Sequence, residues 1–239
     1  QINQDFGFSV AYNFSVIKNK MTELNGVDYI GLSSSELHGR NFDQETSRSA
    51  VGQPIGSFFV YEADGLFQSD AEIQNYKNDR GELLQPNAKP GDIRFKDLNG
   101  DGVINSDDRD FKGNPLPDCS MGLTLGFNYK NFDVSAFFQG VFGNEVYNLT
   151  NYLGEFYNQA QYNKNSTILD AWRPDNTDTD IPRVTLDDPN NNIRPSTYYI
   201  HNASFVRLKN LKVGYTLPDK VASKLKLKRT YIYLQGQNL

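Results

Sequence analysis

Residues 119–140 read CSMGLTLGFNYKNFDVSAFFQG, and this stretch decides the fold class. Leu123, Leu125, Phe127 and Tyr129 alternate with Thr124, Gly126 and Asn128. After Lys130 and Asn131, Phe132, Val134, Ala136 and Phe138 alternate with Asp133, Ser135 and Gln139. Successive side chains of a strand point to opposite faces, so a period of two predicts strands with one apolar and one small, polar face. The short gap between the runs predicts a β-hairpin turning tightly around Lys130 and Asn131. Tyr129 and Phe132 flank that turn, where an aromatic girdle lies in a membrane barrel. Such an apolar face is the core of a soluble sandwich or the lipid-facing wall of an outer-membrane barrel, and periodicity alone does not separate the two.

Upstream, FGFSVAYNFSVI (6–17) repeats the pattern. Phe6, Phe8, Val10, Tyr12, Phe14 and Val16 share one face; Gly7, Ser9, Ala11, Asn13 and Ser15 share the other. Residues 25–50 lack periodicity and predict a loop. VGQPIGSFFVYEADGLF (51–67) predicts an extended segment bracketed by glycines. Ser69 predicts the cap of a short helix, with Glu72 in the capping-box position. Residues 77–92 read as a polar linker.

Downstream, residues 141–202 predict a long loop. Its aromatics (Tyr147, Tyr152, Phe156, Tyr157, Tyr162, Trp172, Tyr198 and Tyr199) argue against disorder. ASFVRLKNLKVGYTL (203–217) predicts a strand whose apolar parity changes between Leu208 and Leu211, which implies a bulge near Lys209 and Asn210. A short helix follows at 220–225 and a last strand opens at Thr230. Short and very long connections therefore alternate, as in outer-membrane barrels, whereas a sandwich more often keeps its loops short.

Between the linker and the hairpin lies DLNGDGVINSDD (97–108), the one segment whose spacing implies a definite chemistry. Asp97, Asn99 and Asp101 supply oxygens at positions one, three and five, and Gly102 takes the sharp turn at six. Val103 offers a carbonyl, Asn105 binds directly or through water, and Asp108 closes the loop at twelve. That is the Ca²⁺ loop pattern, with apolar Ile104 at the eighth position to pin it to a core. The competing reading is an Asn/Asp/Gly turn that binds nothing. The flanks, with Pro90 and Gly91 upstream and Pro115 and Pro117 downstream, leave no room for the paired helices of an EF-hand. Asp108 in place of Glu shortens the last ligand and predicts a weak site, about 10⁻⁴–10⁻³ M.

Composition narrows the function classes. The 239 residues allow one large β domain or two smaller ones. The charge, 24 − 29 = −5 with signs interspersed, argues against a nucleic-acid partner. Cys119 is the single cysteine, so an internal disulfide is excluded. His38 and His201 show no metal spacing. No run of apolar residues is long enough for a transmembrane helix, which says nothing about strands. No signal peptide is evident and the chain does not begin with Met, so it reads as a piece of a longer protein. No nucleophile with a base, phosphate-binding Gly-rich loop or open metal cluster appears, and an enzyme is not expected.

Taken together, GQPIGSFF (52–59), DGLFQ (64–68), PGD (90–92) leading into the calcium-type loop, FFQG (137–140), WRPDN (172–176), Pro182-Arg183, SFVRLKNL (204–211), GYTLP (214–218) and GQNL (236–239) are similar to the SusC/RagA family of TonB-dependent outer-membrane transporters. Val60-Tyr61 stands where the family has Gly-Tyr. The resemblance covers the chain from about residue 51 onward and matches the C-terminal part of the family's barrel. It implies a plugged barrel of about 22 antiparallel strands, of which this chain supplies about six. It also implies import of oligosaccharides or peptides through the bacterial outer membrane, a SusD-like surface lipoprotein as lid, and TonB contacts made by regions outside this chain. On that reading residues 1–239 are one portion of a barrel in contact with membrane lipid. The 97–108 loop and the 141–202 loop are then extracellular, and Trp172, Tyr152, Tyr157 and Tyr162 are candidate contacts for substrate or lid; the alternative is that they pack the loop internally. A second function class stays open: a soluble carbohydrate-binding or adhesive β module stapled by calcium.

Overall fold

The structure, a computed structural model, describes residues 5–33, 45–156 and 163–239. In chain order these form β1 (Phe6–Val16), β2 (Tyr29–Ser33), β3 (Glu45–Ala50), β4 (Ser57–Tyr61), β5 (Ala63–Leu66), α1 (Asp70–Asn75), β6 (Ile93–Phe95), β7 (Arg109–Phe111), β8 (Cys119–Tyr129), β9 (Phe132–Phe142), β10 (Glu145–Tyr147), α2 (Leu149–Gly154), β11 (Ile200–Asn202), β12 (Phe205–Thr216), α3 (Asp219–Lys224) and β13 (Tyr231–Gln237). The chain divides into two compact units. One comprises Gln1–Lys18, Leu116–Asn144 and Ala203–Leu239; the other comprises Asn19–Pro115 and Glu145–Asn202.

The first unit is an antiparallel sheet in the order β1-β8-β9-β12-β13. The hairpin forms as its alternation predicts: β8 and β9 pair from Tyr129↔Phe132 to Cys119↔Phe142. Lys130 takes the positive φ, 52°, that the two-residue turn requires. Register then carries one face through all five strands. Val10 faces Leu125, Leu125 faces Ala136, Ala136 faces Leu211 and Leu211 faces Gly236. The next row is Ser9, Gly126, Ser135, Lys212 and Gln235. A register shift between Leu208 and Asn210 marks the predicted bulge. It returns Leu208 and Leu211 to the same apolar face despite their odd spacing.

Neither face is covered as a sandwich core would be. Phe8, Val10, Tyr12, Phe14 and Val16 are all more than half exposed, and Ala222 is the only buried apolar residue of this unit among the described residues. The two shorter connections, the tight turn at 130–131 and the helix-bearing link at 217–230, lie at one end of the sheet, and both long excursions leave from the other. This is a single-layer wall with an apolar and a polar face.

The second unit holds the compact core: Leu66, Ile93, Phe95, Phe156, Trp172, Ile193 and Tyr199, with Ile104, Tyr147, Tyr152 and Tyr198 packed against it. Three small sheets surround it: β2-β3-β4-β7, β5-β6 and β10-β11. Strands β2 and β3 correct the loop expected across residues 25–50. They pair from Tyr29↔Ala50 toward Ser33↔Glu45 although β3 reads ETSRSA, with no apolar alternation. What holds them is non-local. The Arg48 guanidinium lies 4.0 Å from the Tyr29 ring centroid and 3.7 Å from that of Phe59, and Glu45 grips it at 2.6 and 2.7 Å. Helix α1 starts at the predicted cap, where Ser69 Oγ accepts from the Glu72 amide; Glu72 in turn accepts from Gln68, one residue before the cap. The described residues of Glu145–Asn202 are a structured part of this unit, since they supply β10, α2, β11 and four of the core residues.

Candidate functional site

Strand β6 leads into the 97–108 loop, and its free side is satisfied by side chains instead of a neighbouring strand. The Gln85 amide donates to the Ile93 carbonyl at 2.9 Å and accepts from the Phe95 amide at 2.7 Å. Asn190 donates to the same carbonyl at 3.0 Å, and Asn192 accepts from the Ile93 amide at 2.9 Å. These planar amides imitate a strand edge, and all three are buried. Beside them Asp92 is fully buried. Its oxygens accept from Arg183 at 2.6 and 3.2 Å, from Asn192 at 2.9 Å and from the Lys89 amide at 2.8 Å. Gly91 precedes it at φ 88°, and a Cβ there would lie 2.5 Å from the Trp172 ring.

The loop itself is a chain of Asx turns. Asp97 accepts from the Gly100 and Gly102 amides at 2.7 and 2.8 Å. Asn99 accepts from the Asp101 amide, and Asp101 from the Val103 amide, each at 2.9 Å. The Val103 amide, and next the Asn99 side chain, hold the Asp101 carboxyl below its ordinary pKa. Asn105 accepts from the Asp107 amide at 2.7 Å and donates toward the Val103 carbonyl. Asp108 differs from the rest. It is fully buried and accepts from Leu98, Asn99 and Asn105 amides. Gly102 is required twice: its φ is 87°, and a Cβ would meet Asn78 Nδ2 at 2.8 Å, the group that donates to its own carbonyl.

Five of the six expected ligand positions thus present oxygens at or near the surface of one tight loop, a donor set suited to a hard cation. The sixth, Asp108, faces inward. Among the described residues no three His, Cys, Asp or Glu side chains form a metal-holding group on their own. Ile104 packs against the core as its position predicts. A cleft of about 500 Å³ adjoins the loop, lined in part by Tyr76, Asn78, Arg80, Lys96, Asp97 and Asp101.

Two of the four aromatic candidates, Trp172 and Tyr152, lie among the described residues. Trp172 is buried, with its indole N–H donated to Gln68 Oε1 at 2.8 Å. Tyr152 packs 6.3 Å from the Tyr199 ring centroid. Tyr157, Tyr162 and His38 fall outside the described residues. Tyr198 donates to Glu155 at 2.5 Å; burial first, then that bond, pushes its pKa far above the ordinary phenol value. The amide clip of Gln85, Asn190 and Asn192 was not readable from spacing, because its members lie about a hundred residues apart. Pro90-Gly91-Asp92 and Arg183 stood out only through the resemblance.

The chain aligns with the TonB-dependent receptor P3 of Formosa agariphila, 38% identical over 237 residues, which is 99% of this chain and 22% of that receptor. It is 28% identical over 222 residues to the TonB-dependent receptor SusC of Bacteroides thetaiotaomicron, covering 91% of this chain and 19% of SusC. Its fold matches the RagAB peptide importer in the closed-closed state with a TM-score of 0.71 at 24% identity, over 100% of this chain and 24% of that one. Over nearly its whole length the chain is similar to TonB-dependent receptors, SusC among them. No family model matches it. The chain spans about a fifth to a quarter of the proteins it matches. Its relatives are receptors and transporters.

Proposed function

We propose that the receptor containing this chain imports oligosaccharides across the bacterial outer membrane, energised through TonB and working with a SusD-like surface lipoprotein. The observation that carries the reading is the uncovered five-stranded sheet. In water its aromatic and aliphatic face would be a large exposed patch; against lipid it is the expected outer wall of a barrel. Its open edges at β1 and β13 call for further strands of the same barrel. The opposite face carries Asn13, Asn128, Gln139, Asn210 and Gln235 beside the charged Asp133, Arg207 and Lys212, and such amides pair with hydroxyl-rich substrates. Peptide import is the second reading, favoured by the likeness to the RagAB peptide importer. On either reading the 145–202 segment would form the outer surface that meets substrate or lid, with Trp172 and Tyr152 shaping it from beneath. The 97–108 loop would hold Ca²⁺ through Asp97, Asn99, Asp101, the Val103 carbonyl and Asn105, as a weak staple on the outer side.

Uptake of labelled oligosaccharides and labelled peptides by cells expressing the full receptor tests the substrate class. TonB-dependent uptake of the glycans alone supports the first reading, and of peptides alone the second. A full-length receptor that stays monodisperse without detergent would overturn both and favour a soluble, calcium-stapled binding module.

A further inference from the structure

We infer that Asp108 closes the 97–108 loop as a cap for main-chain amides, and that the loop keeps its fold without a cation. The inference rests on the calcium reading only for the contrast it draws. In a Ca²⁺ loop the twelfth side chain turns its carboxylate onto the ion. Here both oxygens of Asp108 turn onto the loop's own backbone. Oδ1 accepts from Leu98 at 2.8 Å and from Asn99 at 3.4 Å; Oδ2 accepts from Asn105 at 2.8 Å. Each carboxylate oxygen has about two acceptor positions, so Oδ1 is filled. The residue is fully buried, and no ion pair among the described residues includes it. Turning it toward a cation would take from amides at both ends of the loop the acceptor they now share.

The bonds tie position two and position nine to position twelve, so the loop is already a closed ring. Asn105 and Asp108 complete a reciprocal capping box around the short 3₁₀ turn Ser106–Asp108. The ring is also fastened from outside. Ile104 packs into the core, and Asn78 holds the Gly102 carbonyl at 3.1 Å. Arg109, the next residue, starts β7 opposite Tyr61. Asp108 therefore sets where the loop ends and the strand begins. A cation on the outer five oxygens would add to a loop that is folded before it arrives.

The test is amide hydrogen exchange of residues 98–105 in the full receptor in detergent, with saturating Ca²⁺ and with EDTA. Wild-type exchange should differ by less than about threefold between the two conditions. Asp108→Asn keeps the shape and replaces one acceptor oxygen with a donor; it should speed exchange at Leu98 and Asn105 by about tenfold or more in both conditions. Asp108→Glu restores the longer arm of an EF-hand and should speed exchange likewise, without tightening Ca²⁺ binding measured by calorimetry. Collapse of wild-type protection in EDTA, or an Asp108→Asn effect confined to the calcium sample, overturns the inference. Absence of any Ca²⁺ heat from the wild type removes the calcium reading and leaves the cap in place, so the two failures are distinguishable.

Discussion

Replacing Asp92 by Ala should release the segment around residues 181–194 from β6. Asp92 is fully buried and answers three partners: Arg183, the Asn192 amide and the Lys89 main-chain N–H. Arg183 keeps a side-chain exposure of 19%, so without Asp92 it becomes a largely buried, unpaired cation. Breaking one side of a buried pair costs about 3–5 kcal/mol. Two further donors lose an acceptor, at ~1 kcal/mol each, but Asn192 and Lys89 gain water once the segment loosens, so about 4 kcal/mol is the expected total. Asp92→Asn preserves the volume and one acceptor oxygen but also leaves Arg183 without its counter-charge, so about 3 kcal/mol of the loss should remain. A receptor with two compact units need not unfold in one step, so a global melting temperature is the wrong readout. Local exchange of the Ile93 and Phe95 amides, both held by clip side chains, is the right one. About 4 kcal/mol corresponds to roughly a thousandfold faster exchange if opening is local. An increase below about tenfold in Asp92→Ala, or an Asp92→Asn variant that exchanges like wild type, would refute the reasoning that the charge pair holds the clip.

Gly91→Ala should be at least as disruptive, because the new Cβ meets both the Trp172 ring and Arg183 Cβ at a φ of 88°; a cost of about 3 kcal/mol or more is expected, and normal expression with unchanged protease resistance would contradict it. Trp172→Phe keeps the ring but leaves Gln68 Oε1 without its donor, which should cost ~1–2 kcal/mol in local stability and leave transport intact; a selective loss of uptake with an unchanged fold would instead make Trp172 a substrate contact. Glu62 sits between Lys112 at 2.6 Å and Lys96, and bonds first from Lys112 and then from Lys96 hold its carboxyl below the ordinary value of 4.5. A depressed folded pKa stabilises fully above the unfolded value and loses that stabilisation as pH falls through the folded value. Acid titration of local exchange should therefore show wild type converging on Glu62→Gln only below about pH 4.5, with a small difference at neutral pH because the lysines are partly exposed.

The sheet was legible because its rule is local. Side chains of a strand alternate whatever surrounds it, so the runs at 6–17, 119–140 and 203–217 could be read, turn and bulge included. The 97–108 loop was legible for the same reason, since a ring of twelve residues carries its own geometry. Strands β2 and β3 were not, because Arg48 holds them to Tyr29 and Phe59 across the chain. Nor was the clip, where Gln85, Asn190 and Asn192 complete β6 from distant positions.

By itself the sequence determined which residues alternate, where the hairpin turns and which side chains of the loop bear oxygen. It left open whether the apolar face is covered within this chain and which way Asp108 points. Tertiary structure decided both. Register through five strands gathers the apolar residues onto one uncovered face, which a single strand cannot reveal. Burial then turns Asp108 onto the amides of Leu98 and Asn105, because a carboxylate withdrawn from water takes the donors that its surroundings supply.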